Sequence, residues 1–223
     1  MSSTVGELLD SLPAAADQEQ RRGWVVACAQ ALGLGGIAVA LGQELVWFSD
    51  ETSARLEDLQ FVLGQGPGKF VHDEAEVRAL PDLGRSLAQQ WPQFAAEAEE
   101  LGIAALFVWP VRIGAVQVGT MTGYRRTVGP LTGQQLAQGQ LVADALAQYV
   151  LSHWPAGTDV GNGPGHVGAV DLHRAEVHHA TGVLSERLGV SLAEALDRLR
   201  ARAYASGLSL SDTAHTVIRQ ELP

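Results

Sequence analysis

The sequence predicts two units of different class: an α+β domain built on an antiparallel sheet with flanking helices, then an all-α unit of three helices. Three observations predict this. The runs IAALFVWPV and AVQVGTMTGY are strand-like and turn at Arg112-Ile113-Gly114, with helical patterns before and after them. The joints Gly189-Val190-Ser191 and Gly207-Leu208-Ser209 repeat one signal, in which glycine ends a helical pattern, an apolar residue follows and serine opens the next. Between these regions SHWPAGTDVGNGPGHVGAV, Ser152 to Val170, holds five glycines and two prolines and has little to bury. The expected organisation is residues 15–153 for the first domain, 154–166 for a linker and 167–221 for the second domain.

Each element has its own signal. Gln18 to Leu32 reads as an amphipathic helix, and Ile37 to Leu41 and Leu45 to Phe48 as a hairpin across Gly42-Gln43-Glu44. ETSARLEDL is a short helix, Val77 to Leu80 a short strand, and WPQFAAEAEELG a helix with proline early and glycine at its end. After the strand pair, a long helix runs from about Leu131 to His153. Its Leu136, Leu141, Val142, Ala145, Leu146, Tyr149 and Val150 offer more apolar surface than one small sheet usually covers. The helix is therefore either entirely core or half of a seam with the same helix of a second chain.

In the second unit, Val177, Ala180, Leu184 and Leu188 share one helix face, as do Leu192, Ala195, Leu196, Leu199 and Ala203 on the next helix. Leu210, Ala214, Val217 and Ile218 do the same on the third. Ser191 with Glu194, and Ser209 with Asp212, occupy N-cap and N3 positions. A unit of about 50 residues is marginal alone, so docking or dimerisation is expected.

The chain has 223 residues and a net charge of −10. That charge argues against non-specific attraction to nucleic acid or to an anionic membrane. The excess acid is unevenly placed: 9 basic and 18 acidic residues precede Gly165, and 6 arginines face 7 carboxylates from there onward. The second unit is free to carry a positive face. The single Cys28 permits no internal disulfide, which fits a reducing compartment and makes the cytoplasm the expected location. The uncharged run after Arg21-Arg22 imitates a membrane anchor, but Gly33, Gly35 and Gly36 break it into a helical half and a strand-like half, so no membrane association is expected.

The string AEVHHATGVLSERLGVSLAEALDRLRARAYASGLSLSDTAHTVI resembles the ANTAR domain, in Ala180, Gly182, Leu184, the Gly-Val-Ser joint, Ala195, Leu199-Arg200, Ala203 and Ala214. Upstream, LGQGPG and the region from Pro81 through Tyr124, with the closing helix, look like a GAF domain. The resemblance implies an actinobacterial-type GAF–ANTAR regulator of transcription antitermination. In such a protein a sensor controls a reader, usually dimeric, that binds paired small hairpins in nascent RNA and prevents a terminator from forming. It also implies RNA contacts at Thr181, Arg198, Arg200, Arg202, Tyr204 and Ser209, with arginines on phosphates and polar or stacking groups on splayed bases. Thr181 and Ser209 stand where the family commonly has basic residues, and Leu196 where an aromatic is common. In the sensor, Asp82, Trp91, Phe94 and Trp109 are the candidates to hold a small-molecule ligand.

Plainer readings accompany these. Arg198 lies four after Glu194, the favourable order for a helical ion pair, and Tyr204 also suits the rim of helix packing. His173 and His178 are five apart and share no helix face, so no metal is expected. GQGPGK fails the Walker pattern because Leu63 and Phe70 occupy its required positions; a tight turn on Gly64, Gly66 and Gly68 is expected, with no role for Lys69. Cys28 lies on an apolar helix face and reads as core. No catalytic arrangement stands out, so neither enzyme activity nor a cofactor is expected. The alternative to an RNA reader is a ligand-sensing or protein-interaction adaptor whose helical unit serves dimerisation.

Overall fold

A computed structural model describes residues 4–12, 18–42, 44–68, 76–87, 90–153, 166–167, 170–171 and 174–219. The linker expected at 154–166 lies almost wholly outside them, as do Lys69 and His173.

The first domain contains helices α1 (Val5–Ser11), α2 (Gln18–Ala31), α3 (Glu51–Leu63), α4 (Leu83–Leu87), α5 (Pro92–Glu100) and α6 (Gly133–His153). Its strands are β1 (Gly36–Leu41), β2 (Glu44–Phe48), β3 (Arg78–Leu80), β4 (Ala105–Ile113) and β5 (Val116–Arg125). They form one antiparallel sheet in the order β2-β1-β5-β4-β3. The expected α+β class is what the chain adopts. The anchor-like run is broken as its glycines imply: α2 ends, Gly33 takes φ 65°, and β1 begins. No helix among the described residues is long and apolar enough to cross a membrane.

Alternation along β4 divides the interior. Ala105, Phe107, Trp109 and Val111 face a core shared with α1, α2 and α6, while Leu106 faces a second core with Leu56 of α3, Leu83 of α4 and Phe94, Ala95 and Ala98 of α5. Helix α6 buries Val142, Ala143, Leu146, Ala147, Tyr149 and Val150 in the first core and leaves Leu141 and Leu151 exposed. Cys28 is buried there too, and burial pushes its thiol up to about 12. As core residues go, it is an inert one.

Four details differ from expectation. Helix α1 precedes the expected start of the domain. Thr4 and Glu7 form a capping box around its first turn, and the Trp24 indole nitrogen donates to the Leu8 carbonyl at 2.6 Å. Its seven residues are too few for a periodic pattern to announce them. Helix α3 extends four residues past Leu59, because Phe61 and Val62 find a partner described below. The hairpin turns at Gly114-Ala115, with φ 61° at Gly114, one residue later than expected. A two-residue pair, β6 (His166–Val167) with β7 (Val170–Asp171), closes what composition marked as the linker's end.

The second unit is α7 (Ala175–Leu188), α8 (Leu192–Ser206) and α9 (Leu210–Arg219). Both joints form as the sequence implies. Gly189 and Gly207 sit at φ 62° and 66°, and Ser191 and Ser209 accept from the backbone N–H of Glu194 and Asp212 at 3.2 and 3.0 Å. Val177, Ala180, Leu184, Ala195, Leu196, Leu199, Ala203, Leu210, Ala214 and Val217 converge into one core.

Candidate nucleic-acid interface

Helix α8 carries three of the six RNA-contact candidates as arginines two residues apart. Two residues advance a helix by about 200°, so Arg198 and Arg202 share one flank and Arg200 stands nearly opposite. Arg198 is half-exposed and bonds Glu194 across one turn at 2.6 Å. Arg202 is exposed beside it. An exposed pair of this kind is worth about 0.3–0.5 kcal/mol, little enough for a phosphate to replace the glutamate. Tyr204 is 77% exposed, so its ring is presented to solvent and does not serve as packing rim.

Arg200 is in different surroundings. Its side chain is only 18% exposed and bonds Asp197 at 2.8 Å, and its guanidinium lies 5.1 Å from the centre of the Phe61 ring, on α3 of the first domain. Thr181 requires a correction. It is 5% exposed, and its hydroxyl donates to the Val177 carbonyl at 2.6 Å, so it has turned inward and offers RNA nothing here. Ser209 is exposed, but its hydroxyl is committed to Asp212 as the N-terminal cap of α9. The structure thus brings together Arg198 and Arg202 on an open flank and leaves the other candidates elsewhere.

The sensor candidates separate as well. Phe94 is fully buried in the core under α5, and Trp91 occupies the N-cap position of that helix against the same core. Trp109 faces the opposite side of the sheet, where its indole nitrogen donates to the Leu136 carbonyl of α6 at 3.0 Å. This too is a correction: alternation along β4 turns Trp109 toward α6, whereas Phe94 sits on α5 in the core on the other side of the sheet, so the two do not line one pocket. Asp82 alone lines an open groove of about 520 Å³, with Pro92, Ala95, Glu99, Gly102 and Arg126 among its other walls.

Sequence reasoning missed the polar seam between the two units. The Arg174 guanidinium, 5% exposed, lies 4.0 Å from the Phe61 ring centre and bonds Asp58 at 2.8 Å. Glu44, at the start of β2, accepts from the Arg174 backbone N–H at 3.1 Å and pairs with the ring nitrogen of His178. Behind this seam Glu57 is enclosed, accepting from Gln60 at 2.8 Å and from Thr122 at 3.2 Å. Burial raises the Glu57 carboxyl above its ordinary value; Arg174 and the two hydrogen bonds pull the other way. The available signal was in α3 itself. Leu56 faces the sheet side and Phe61-Val62 a second side, and a helix apolar on two sides has two partners. No three His, Cys, Asp or Glu side chains among the described residues are grouped to hold a metal.

Residues 171–218 match the family of the ANTAR domain, which covers α7, α8 and α9. The first domain has the fold of a GAF domain. It is similar to the GAF domain of an Acinetobacter phosphoenolpyruvate-protein phosphotransferase, at 12% identity and a TM-score of 0.53, covering 69% of this chain and 94% of that one. The GAF domain of the corresponding Coxiella burnetii protein is also similar, at 16% identity and a TM-score of 0.50, covering 66% and 90%. No curated protein matches the chain. The molecule therefore joins a GAF-fold domain to an ANTAR domain.

Proposed function

We propose that this protein is a non-catalytic, cytoplasmic, signal-responsive regulator in which the GAF-fold domain controls RNA binding by the ANTAR domain. It acts by antitermination, as a homodimer that holds paired small hairpins of nascent RNA. The observation that carries this reading is the open flank of α8 within the ANTAR match: Arg198 and Arg202 one turn apart, with Tyr204 presented to solvent farther round the helix. Two guanidinium groups at that spacing suit successive phosphates, and an exposed ring suits an unstacked loop base. The GAF-fold domain receives a small molecule, and the exposed Leu141 and Leu151 of α6 belong to a seam with a second chain.

The inward turn of Thr181 and the engagement of Arg200 by α3 favour a second reading, an adaptor that binds no RNA. One experiment decides. The purified chain is titrated against RNA with two adjacent small hairpins and against single-hairpin controls, with salt varied. Tight binding is expected only with two hairpins. The salt slope should fall by about 1 for each arginine lost in Arg198→Ala/Arg202→Ala. Binding that ignores the double substitution refutes the assignment of this flank, and no binding leaves the adaptor.

A further inference from the structure

We infer that the outer ridge of α3 is an intramolecular lock on the ANTAR domain, competing with RNA phosphate for Arg200. The inference rests on the RNA-reading proposal and adds how that reading is switched. Phe61 is covalently part of the GAF-fold domain, yet it packs in the core cluster formed by Val177, Ala180, Leu199 and their neighbours. Its ring is flanked by the guanidinium groups of Arg174 at 4.0 Å and Arg200 at 5.1 Å. The first is fastened by Asp58. The second is half-satisfied: the Arg200 Nε is buried without a hydrogen-bond partner among the described residues.

The C-terminal end of α3 lies against that side chain. Gly64 ends α3 at φ 60°, and a β-carbon there would come within 3.4 Å of Arg200 Nη1. The LGQGPG string that imitates a phosphate loop thus begins as the left-handed cap of α3, with an arginine of the other domain in van der Waals reach. Arg200 engages a phosphate fully only by leaving this seat, because its guanidinium is packed by the Phe61 ring and only 18% exposed. The lock is also connected to the sensor. The opposite side of α3 lies on the sheet through Ala54, Leu56 and Glu57, so a shift of the helix on the sheet displaces Phe61 from its seat. A ligand opens the lock to the extent that it binds the shifted arrangement more tightly. The seam joins one apolar anchor, Phe61 with Val62, to charged pairs at Asp58 and Glu44, and a mixed interface of this kind suits reversible release.

The test uses the full chain and four proteins: wild type, Asp58→Arg, Asp58→Arg/Arg174→Asp, and Asp58→Arg/Arg200→Ala. Asp58 is exposed on the surface of α3, so arginine fits there without disturbing the core. Two readouts are taken, amide hydrogen exchange along α3 and α7, and anisotropy with a labelled RNA of two adjacent hairpins. Asp58→Arg sets two positive charges against each other. It should speed exchange and tighten RNA binding by about tenfold or more, the scale of one freed charge-assisted contact. Reversing the pair should restore both readouts only in part, because the ion pair returns without the Arg174 contact on the Phe61 ring, and Arg200→Ala should remove the gain while leaving exchange fast. Faster exchange with unchanged RNA binding overturns the lock alone, as does a gain that survives Arg200→Ala, because added surface charge then explains it. Absence of binding by all four proteins overturns the RNA reading and the lock with it.

Discussion

Gly139 and Gly182 are both helix-interior glycines, and the same substitution should move stability in opposite directions. Helix propensity alone favours Gly→Ala by about 1 kcal/mol. At Gly139 in α6 the new β-carbon would stand 2.4 Å from Cε2 of Trp109. That indole is fully buried and tied to the Leu136 carbonyl one turn earlier, so it cannot swing away without breaking its hydrogen bond. Overpacking costs about 1–3 kcal/mol, and an unsatisfied buried N–H about 1–3 more. After the propensity gain, Gly139→Ala should lose about 1–5 kcal/mol. At Gly182 in α7 nothing lies within 4 Å of the added carbon. There the propensity term stands alone, and Gly182→Ala should gain about 0.5–1 kcal/mol. Urea unfolding, read by hydrogen exchange of the α6 and α7 amides so that each domain reports itself, measures both. Equal signs, or a Gly139→Ala protein as stable as wild type, would refute the packing argument.

Glu57 gives a pH signature. Its carboxyl is raised by burial, so the folded chain holds a proton that the unfolded chain releases above about 4.3. The stability this group contributes is complete below that value and is lost as pH rises through the folded-state value. Glu57→Gln should therefore gain relative to wild type as pH climbs from 4 toward 7 in parallel urea melts; a constant difference between the two proteins would contradict the sign. Trp24→Phe removes the 2.6 Å bond that ties α1 to α2 and should cost about 1 kcal/mol, with α1 amides exchanging faster while the sheet is unchanged. Unaltered exchange in α1 would mean that apolar contacts of Val5, Leu8 and Leu12 hold it without the indole.

Legibility in the sequence followed the range of the interactions. The joints at Gly189 and Gly207 were readable because a left-handed glycine and a serine cap are local chemistry, complete within five residues. The sheet was readable from its strand-like runs, although the side of the sheet each helix covers was not: Trp109 of β4 and Phe94 of α5 read as candidates for one ligand, and they lie in cores on opposite sides of the sheet. Helical spacing put Arg198 and Arg202 on one flank of α8, and both are exposed there. The engagement of Arg200 was not legible, because its partner Phe61 is 139 residues away in sequence and nothing in either segment names the other. Thr181 misled for a related reason. A hydroxyl satisfies itself on its own helix, whereas the lysine common at that position has no such option.

Phe61 also limits how portable the ANTAR domain is. A cut through the linker divides the chain at the natural place in its sequence but not in its packing. The three helices alone would keep Val177, Ala180 and Leu199 around a notch that Phe61 and Val62 of the first domain fill. Transplanted behind a different first domain, the three helices would arrive with a bare apolar depression flanked by two arginines. An aromatic on a neighbouring chain would settle there, so modular exchange would have to carry the α3 ridge along with the three helices.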